Sequence, residues 1–235
     1  MPTVLLVRHG RTTANAQGIL AGRAPGVRLD DAGRRQAAQA AERMAGVPLV
    51  AVVTSPLERC RQTARILVAA QQAEVTTLVE RGITECDYGQ WQGLALRDLA
   101  REPLWEVVQR QPSAAVFPGG ESLASMQARS VEAIRRHDAA FEAEHGPGAV
   151  WVAVSHGDII KSILADALGM HLDLFQRINV NPASVSIIRY GAARPDVVST
   201  NTDAGDLSWL RAAPDPGDAP VGGGAGPAAP TTERS

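Results

Sequence analysis

Lysine is almost absent from this sequence: Lys161 is the only one among 23 basic residues, and 25 acidic residues leave a net charge of −2. Without a basic excess there is no reason to expect a nucleic-acid or membrane-surface partner. Cysteine is nearly as scarce. Cys60 and Cys86 cannot build a disulfide framework or close a zinc site by themselves, which fits a reducing compartment. No apolar run approaches the roughly 18 residues that span a bilayer, and Met1-Pro2-Thr3 ahead of Val4 to Val7 lacks a signal-peptide core. A cytoplasmic location is the expectation.

What is present is a chain of 235 residues, 45% hydrophobic, long enough to bury a sizeable core. From Ala212 onward Ala, Gly and Pro dominate, with a Gly222-Gly223-Gly224 run, and such a segment cannot bury enough surface to offset its ordering entropy. One folded domain over 1–210 and a disordered tail over 211–235 are expected. Short aliphatic runs alternate with helical patterns, which predicts an α/β fold with a mainly parallel sheet. The strand candidates are Thr3 to Val7, Leu49 to Thr54, Val75 to Val79 and Ala149 to Val154, with a closing pair at Ser184 to Tyr190 and Asp196 to Thr202. A helix capped by Asp30 or Asp31 should run to about Met44. Another should start directly after the second strand, where Ser55-Pro56-Leu57-Glu58 combines a capping box with an early proline. Further helices are expected over Leu94 to Arg110, Glu121 to Glu144 and Asp158 to Leu168.

Three of the strands end in polar clusters: Arg8-His9-Gly10, Ser55 through Arg59, and Ser155-His156-Gly157. In open α/β sheets ligands sit beyond the carboxyl ends of the strands, so parallel order would gather these clusters at one edge. Two arginines, two histidines and the N–H groups of two helix starts describe a pocket for a phosphate-sized anion. His137, His145 and His171 do not end strands and read as structural or solvated. There is no two-histidine helical motif, aspartate-rich loop or cysteine pairing at ligand spacing, so no metal and no cofactor are expected.

Arg8-His9-Gly10 is followed by Thr12 and Asn15, then Ser55-Pro56-Leu57 with Arg59, Gln62-Thr63-Ala64, Glu85 ahead of Tyr88-Gly89, Trp91 and Gly93, and finally Ser155-His156-Gly157. In this order the motifs resemble the histidine phosphatase superfamily, also called the phosphoglycerate mutase-like family, over about Val4 to Thr200. The resemblance implies a three-layer α/β/α sandwich and chemistry through a phosphohistidine. His9 would be the nucleophile, while Arg8, Arg59 and His156 hold the phosphate oxygens. Asn15 would add a neutral hydrogen bond, and Thr12 and Gly157 would join the substrate-binding set. Glu85 would protonate the leaving oxygen and then help activate water; burial should raise its pKa while nearby arginines lower it. The implied partner is a small phosphorylated substrate.

Within the family, the mutases usually carry a longer basic insertion with an arginine pair. The stretch from Arg101 through Arg110 to Phe117-Pro118-Gly119-Gly120-Glu121-Ser122 has none, which resembles the phosphatase branch. A phosphomutase and a silent phosphate-binding module stand as alternatives. The sequence departs from many relatives at Arg11, which faces either a second anionic group or solvent, and at Gln92, where glutamate is frequent. Glu121 reads as a capping carboxylate at a helix head that could also line the pocket mouth, and Asp158 has the same two readings. Cys60 reads as a small core residue, Trp91 and Trp105 as core or lid packing, and Cys86 has no assignment. None of these features specifies a natural substrate or an oligomeric state.

Overall fold

The structure is a computed structural model that describes residues 1–191, 194–204, 222 and 224. The expected disordered tail therefore lies outside the described residues except at Gly222 and Gly224. The chain runs β1 (Thr3–Arg8), α1 (Thr13–Ala16), α2 (Asp31–Met44), β2 (Leu49–Thr54), α3 (Glu58–Ala69), β3 (Thr76–Val79), α4 (Leu96–Leu99), α5 (Pro103–Arg110), α6 (Leu123–His145), β4 (Val150–Ser155), α7 (Gly157–Ala167), β5 (Val185–Tyr190) and β6 (Pro195–Thr202).

The strands form one six-stranded sheet in the order β3-β2-β4-β1-β5-β6. The first four are parallel, and β5 and β6 add antiparallel. Side chains along a strand point alternately to opposite faces, so an all-apolar strand feeds two cores. Val4, Leu6, Val53, Trp151 and Ala153 meet Met126 and Ile134 of α6 and Ile159 and Ile163 of α7. Leu5, Val7, Val52, Val152 and Val154 meet Ala41 and Met44 of α2 and Ala64 and Leu67 of α3. The result is the three-layer α/β/α sandwich. Burying a Leu or Ile of this kind contributes about 1.5–3 kcal/mol. Among the described residues no helix is long and apolar enough to cross a membrane.

Register places the site. Arg8 pairs with Ser155, and Thr54 with Val154, so β1, β2 and β4 end level with one another. The chain leaves them still tethered, with His9 N–H donating to Ser155 O at 2.9 Å and Ser55 N–H to Val154 O at 3.0 Å.

Three helix expectations need correction. The helix after β2 starts at Glu58 with Leu57 as the N-cap, whose aliphatic side chain makes no capping bond, while the Ser55 hydroxyl accepts from Leu57 N–H at 3.4 Å, short of the helix, and from His156. The single helix expected over Leu94 to Arg110 is two, since Pro103 lacks an N–H and opens α5 instead of continuing α4. The helix expected from Glu121 is capped by Ser122, whose side chain accepts from Ser125 N–H, so Glu121 is not the cap. Asp30, by contrast, caps α2 through a 2.7 Å bond from Gly33 N–H.

Candidate active site

The loop after β1 delivers His9 into the interior, where it is 3% exposed. Gly10 and Gly33 make that delivery possible. A Cβ on Gly10 would lie 2.3 Å from Gly33 O, and one on Gly33 would lie 2.0 Å from Arg11 O, so two backbones touch where any side chain would separate them.

Both imidazoles have their tautomers fixed by their partners. His9 Nδ1 lies 2.7 Å from Gly10 O, and since a carbonyl only accepts, Nδ1 carries the hydrogen. Nε2 is left with its lone pair, and Arg59 Nε–H donates to it at 3.2 Å. In His156, Nδ1 accepts from Arg59 Nη2 at 3.1 Å, so Nε2–H donates to Ser55 Oγ at 2.8 Å. The two ring centroids are 5.3 Å apart. His9 and His156, at the ends of β1 and β4 and far apart in sequence, thus share one guanidinium.

Arg59 itself comes from the first turn of α3 and also donates through Nη2 to Gly22 O at 2.7 Å. Its Nη1 is buried with no hydrogen-bond partner among the described residues. An unanswered guanidinium N–H at a buried site is what an anion oxygen would satisfy. Arg8, also buried, donates through Nη1 to Val180 O at 2.8 Å and through Nη2 to Gly224 O at 2.9 Å.

Glu85 is buried, with Oε1 accepting from Cys86 N–H at 2.9 Å and Oε2 3.9 Å from His156 Nδ1. Burial and, next, the charge of Asp158 push its pKa up to about 7, against the pull of Arg59 and Arg8. Burial wins over the arginines. His9 and His156 move the other way: burial first, then Arg59, hold both well below the usual imidazole range.

His9, Arg59 and Glu85 line one cavity together with Thr12, Asn15 and Tyr88, and Ile19, Leu20, Ala21 and Leu96 give it an apolar side. Thr12 N–H and Oγ1–H both donate to Asn15 Oδ1, at 3.1 and 2.8 Å, which leaves the amide NH2 as the end of Asn15 free to serve a ligand. Arg8, His156 and Gly157 are buried without lining that cavity. Gly222 and Gly224 do line it.

Other expectations resolve differently. Arg11 does not line the cavity; its side chain is about a third exposed (34%), and its Nε pairs with Asp30 at 2.8 Å. Asp158 is fully buried and accepts from Tyr88 Oη–H at 2.8 Å and Gly222 N–H at 3.0 Å, while α7 is capped by His156 without a side-chain bond. Gln92 Oε1 accepts from Arg23 N–H at 2.8 Å. Cys60 packs against His156 with its thiol pushed up to about 12, first by burial, and Cys86 is raised by burial as well; neither is a nucleophile at pH 7. Trp91 stacks on Trp105 and packs edge-on to Phe117 in the core. Sequence reasoning missed Arg23 and Arg129, both beside Glu85. Nothing in their local sequence marks them. Among the described residues no group of three or more His, Cys, Asp or Glu is arranged to hold a metal ion.

Residues 4–203 match the histidine phosphatase superfamily (branch 1). A bifunctional protein of Mycobacterium tuberculosis is 34% identical over 194 residues, which are 80% of this chain and 50% of that protein. The chain thus spans about half the length of the curated relatives it first matches. Phosphoserine phosphatase 1 of Hydrogenobacter thermophilus is 30% identical over 207 residues, covering 86% of this chain and 92% of that one. The 2,3-bisphosphoglycerate-dependent phosphoglycerate mutase 2 of Gloeobacter violaceus is 31% identical over 169 residues, 71% and 75% of the two chains. Among solved structures, a mycobacterial glucosyl-3-phosphoglycerate phosphatase in complex with VO3 shows a TM-score of 0.75 at 26% identity, covering 86% of this chain and 99% of that one. With the motifs in order and the match running through nearly the whole sandwich, this chain belongs to the histidine phosphatase superfamily.

Proposed function

We propose that the chain hydrolyses the phosphomonoester of a small metabolite through a phosphohistidine at His9, without a metal. The observation that carries this reading is the unprotonated Nε2 of His9, aimed at Arg59 in a cavity that Glu85 also lines. In the first step Nε2 attacks phosphorus and the ester P–O bond breaks, while Glu85, protonated at the start, gives its proton to the leaving oxygen. In the second step the Glu85 carboxylate takes a proton from water, the water oxygen attacks phosphorus, and the N–P bond breaks to release phosphate. Arg59 and Arg8, with the Asn15 amide, supply the fixed positive field for the transferring group; removing one such donor typically costs about 3–4 kcal/mol of barrier.

Hydrolysis is favoured over phosphoryl return to a second substrate by where the other arginines go. Arg59 is the only arginine or lysine among the described residues that line the cavity. The adjacent pair Arg135-Arg136 is engaged by Asp166 at 2.8 Å and Glu80 at 2.7 Å, and Arg11 by Asp30. Among the described residues that line the cavity, a bisphosphate would find no second cationic side chain beside Arg59.

Hydrolysis of 4-nitrophenyl phosphate is expected to be unaffected by a chelator and to vanish in His9→Ala. Full turnover in His9→Ala, or its loss to the chelator, would contradict the reading. With 3-phosphoglycerate and its bisphosphate primer, phosphate release should outpace isomer exchange. The reverse would assign a mutase, and phosphate binding without turnover a silent module.

A further inference from the structure

We propose that Arg129 and Arg23 are positioning residues for Glu85: joined by Glu121, they grip the main chain on both sides of the acid and fix where its carboxyl meets the leaving oxygen. The inference rests on the acid role given to Glu85 above.

Glu85 belongs to no strand or helix. It lies between the short turns Arg81–Ile83 and Gly89–Trp91, so no ladder of backbone bonds sets its place. Side chains do so instead. Arg129, from α6, donates through Nη1 to Gly82 O at 2.7 Å and Thr84 O at 2.8 Å, and through Nη2 to Glu85 O at 3.2 Å. Arg23, from the loop after α1, donates through Nε to the same Glu85 carbonyl at 2.8 Å. Glu121 closes the arrangement. It accepts from Asp87 N–H at 2.8 Å, from Arg23 Nη2 at 3.0 Å and from Arg129 Nε at 3.0 Å. Three carbonyls and one N–H spanning Gly82 to Asp87 are therefore held by a single charged unit.

That unit is ionised at neutral pH. Burial opposes the Glu121 charge, but Arg129, the Asp87 N–H and Arg23 outweigh it and hold the carboxyl below the usual range. The planar guanidinium fork is suited to several carbonyls at once in a way an ammonium is not. Arg23 also follows Gly22, whose carbonyl accepts from Arg59 Nη2. The acid and the phosphate-facing cation are thereby referenced to the same short loop. Neither Arg23 nor Arg129 lines the cavity, so neither side chain touches what binds there.

The test separates placement of a proton from general damage. An alkoxide needs the acid's proton to leave, whereas 4-nitrophenolate leaves without it. Measured as kcat/KM, which reports transfer to His9, Glu85→Gln should lose on the order of 100-fold more on glycerol 2-phosphate than on 4-nitrophenyl phosphate. Arg129→Gln should show the same selective loss at about tenfold, since displacement of a reacting group by an ångström is costly. Arg23→Gln should lose a few-fold with the same preference. Melting curves report whether each variant folds; should Arg129→Gln fail to, the partly exposed Arg23 decides the matter alone. Equal losses on both esters in the arginine variants, or none, alongside a selective Glu85→Gln would overturn the positioning role. A Glu85→Gln without selectivity would instead remove the acid assignment and the positioning role with it.

Discussion

At His9 burial and charge act in the same direction. Desolvation, Arg59 and Arg8 all disfavour an imidazolium, so the ring keeps its lone pair well below the usual titration range. At Glu85 burial and the Asp158 charge outweigh the same two arginines and bring the carboxyl to about 7. For the proposed roles, a nucleophile pushed down and an acid pushed up within one cavity is the division of labour that transfer to histidine requires. For an alkyl phosphate, kcat/KM corrected for the substrate's own ionisation near about pH 6 should stay level through the imidazole range and fall above about 7. The alkaline fall should be absent in Glu85→Gln; a profile limited only on its acid side would contradict the assignment. Stability carries the same signature. Because the folded-state value of Glu85 is raised, its stabilising contribution is complete below the unfolded carboxylate range and is lost as pH rises through about 7. The melting temperature of the wild type minus that of Glu85→Gln should therefore fall between pH 5 and pH 8.

At the scale of elements, the strands were legible because each central one is apolar at nearly every position and too short for a helix. Helix starts were less so. Ser55 has the right neighbours for a cap, but its hydroxyl goes to His156, and Glu121 looks like a first-turn carboxylate yet clamps two arginines. In both cases the shorter bonds go to tertiary partners far off in sequence, and Ser55 keeps only a 3.4 Å local contact from Leu57 N–H. Gly33 gives a sharp test of how α2 packs. By helix propensity alone Gly33→Ala should gain about 1 kcal/mol. Instead the new Cβ would lie 2.0 Å from Arg11 O and 2.6 Å from Arg11 N. We expect a loss of about 1–3 kcal/mol in denaturant unfolding, with falling activity as the His9 loop shifts. A stabilised Gly33→Ala would show that the two backbones do not touch.

Over the whole molecule, parallel register brings three distant motifs to one edge of the sheet, with His9 and Arg59 lining the cavity and His156 buried behind them, and that convergence could be inferred from strand order before any coordinate. That His9, Arg59, Glu85 and His156 meet was legible because the chemistry proposed for them belongs to their own side chains. Arg23 and Arg129 were not, since their partners are largely backbone carbonyls, which have no residue identity to read. Gly222 and Gly224 also reach the site from far along the chain, with both carbonyls toward Arg8 Nη2 at 3.5 and 2.9 Å. Ending the chain after Leu210 should leave folding and kcat intact and lower KM a few-fold, as Arg8 loses two competing acceptors. A KM that rises would mean that these glycines complete the pocket.

The most direct measurement is to quench a turnover of 32P-labelled substrate in alkali and map the label. Label on the peptide containing His9, stable to base and lost in acid, with a wild-type yield that disappears in His9→Ala, is the predicted result. Label on any other residue, or rapid hydrolysis that never passes through a labelled protein, would contradict the account.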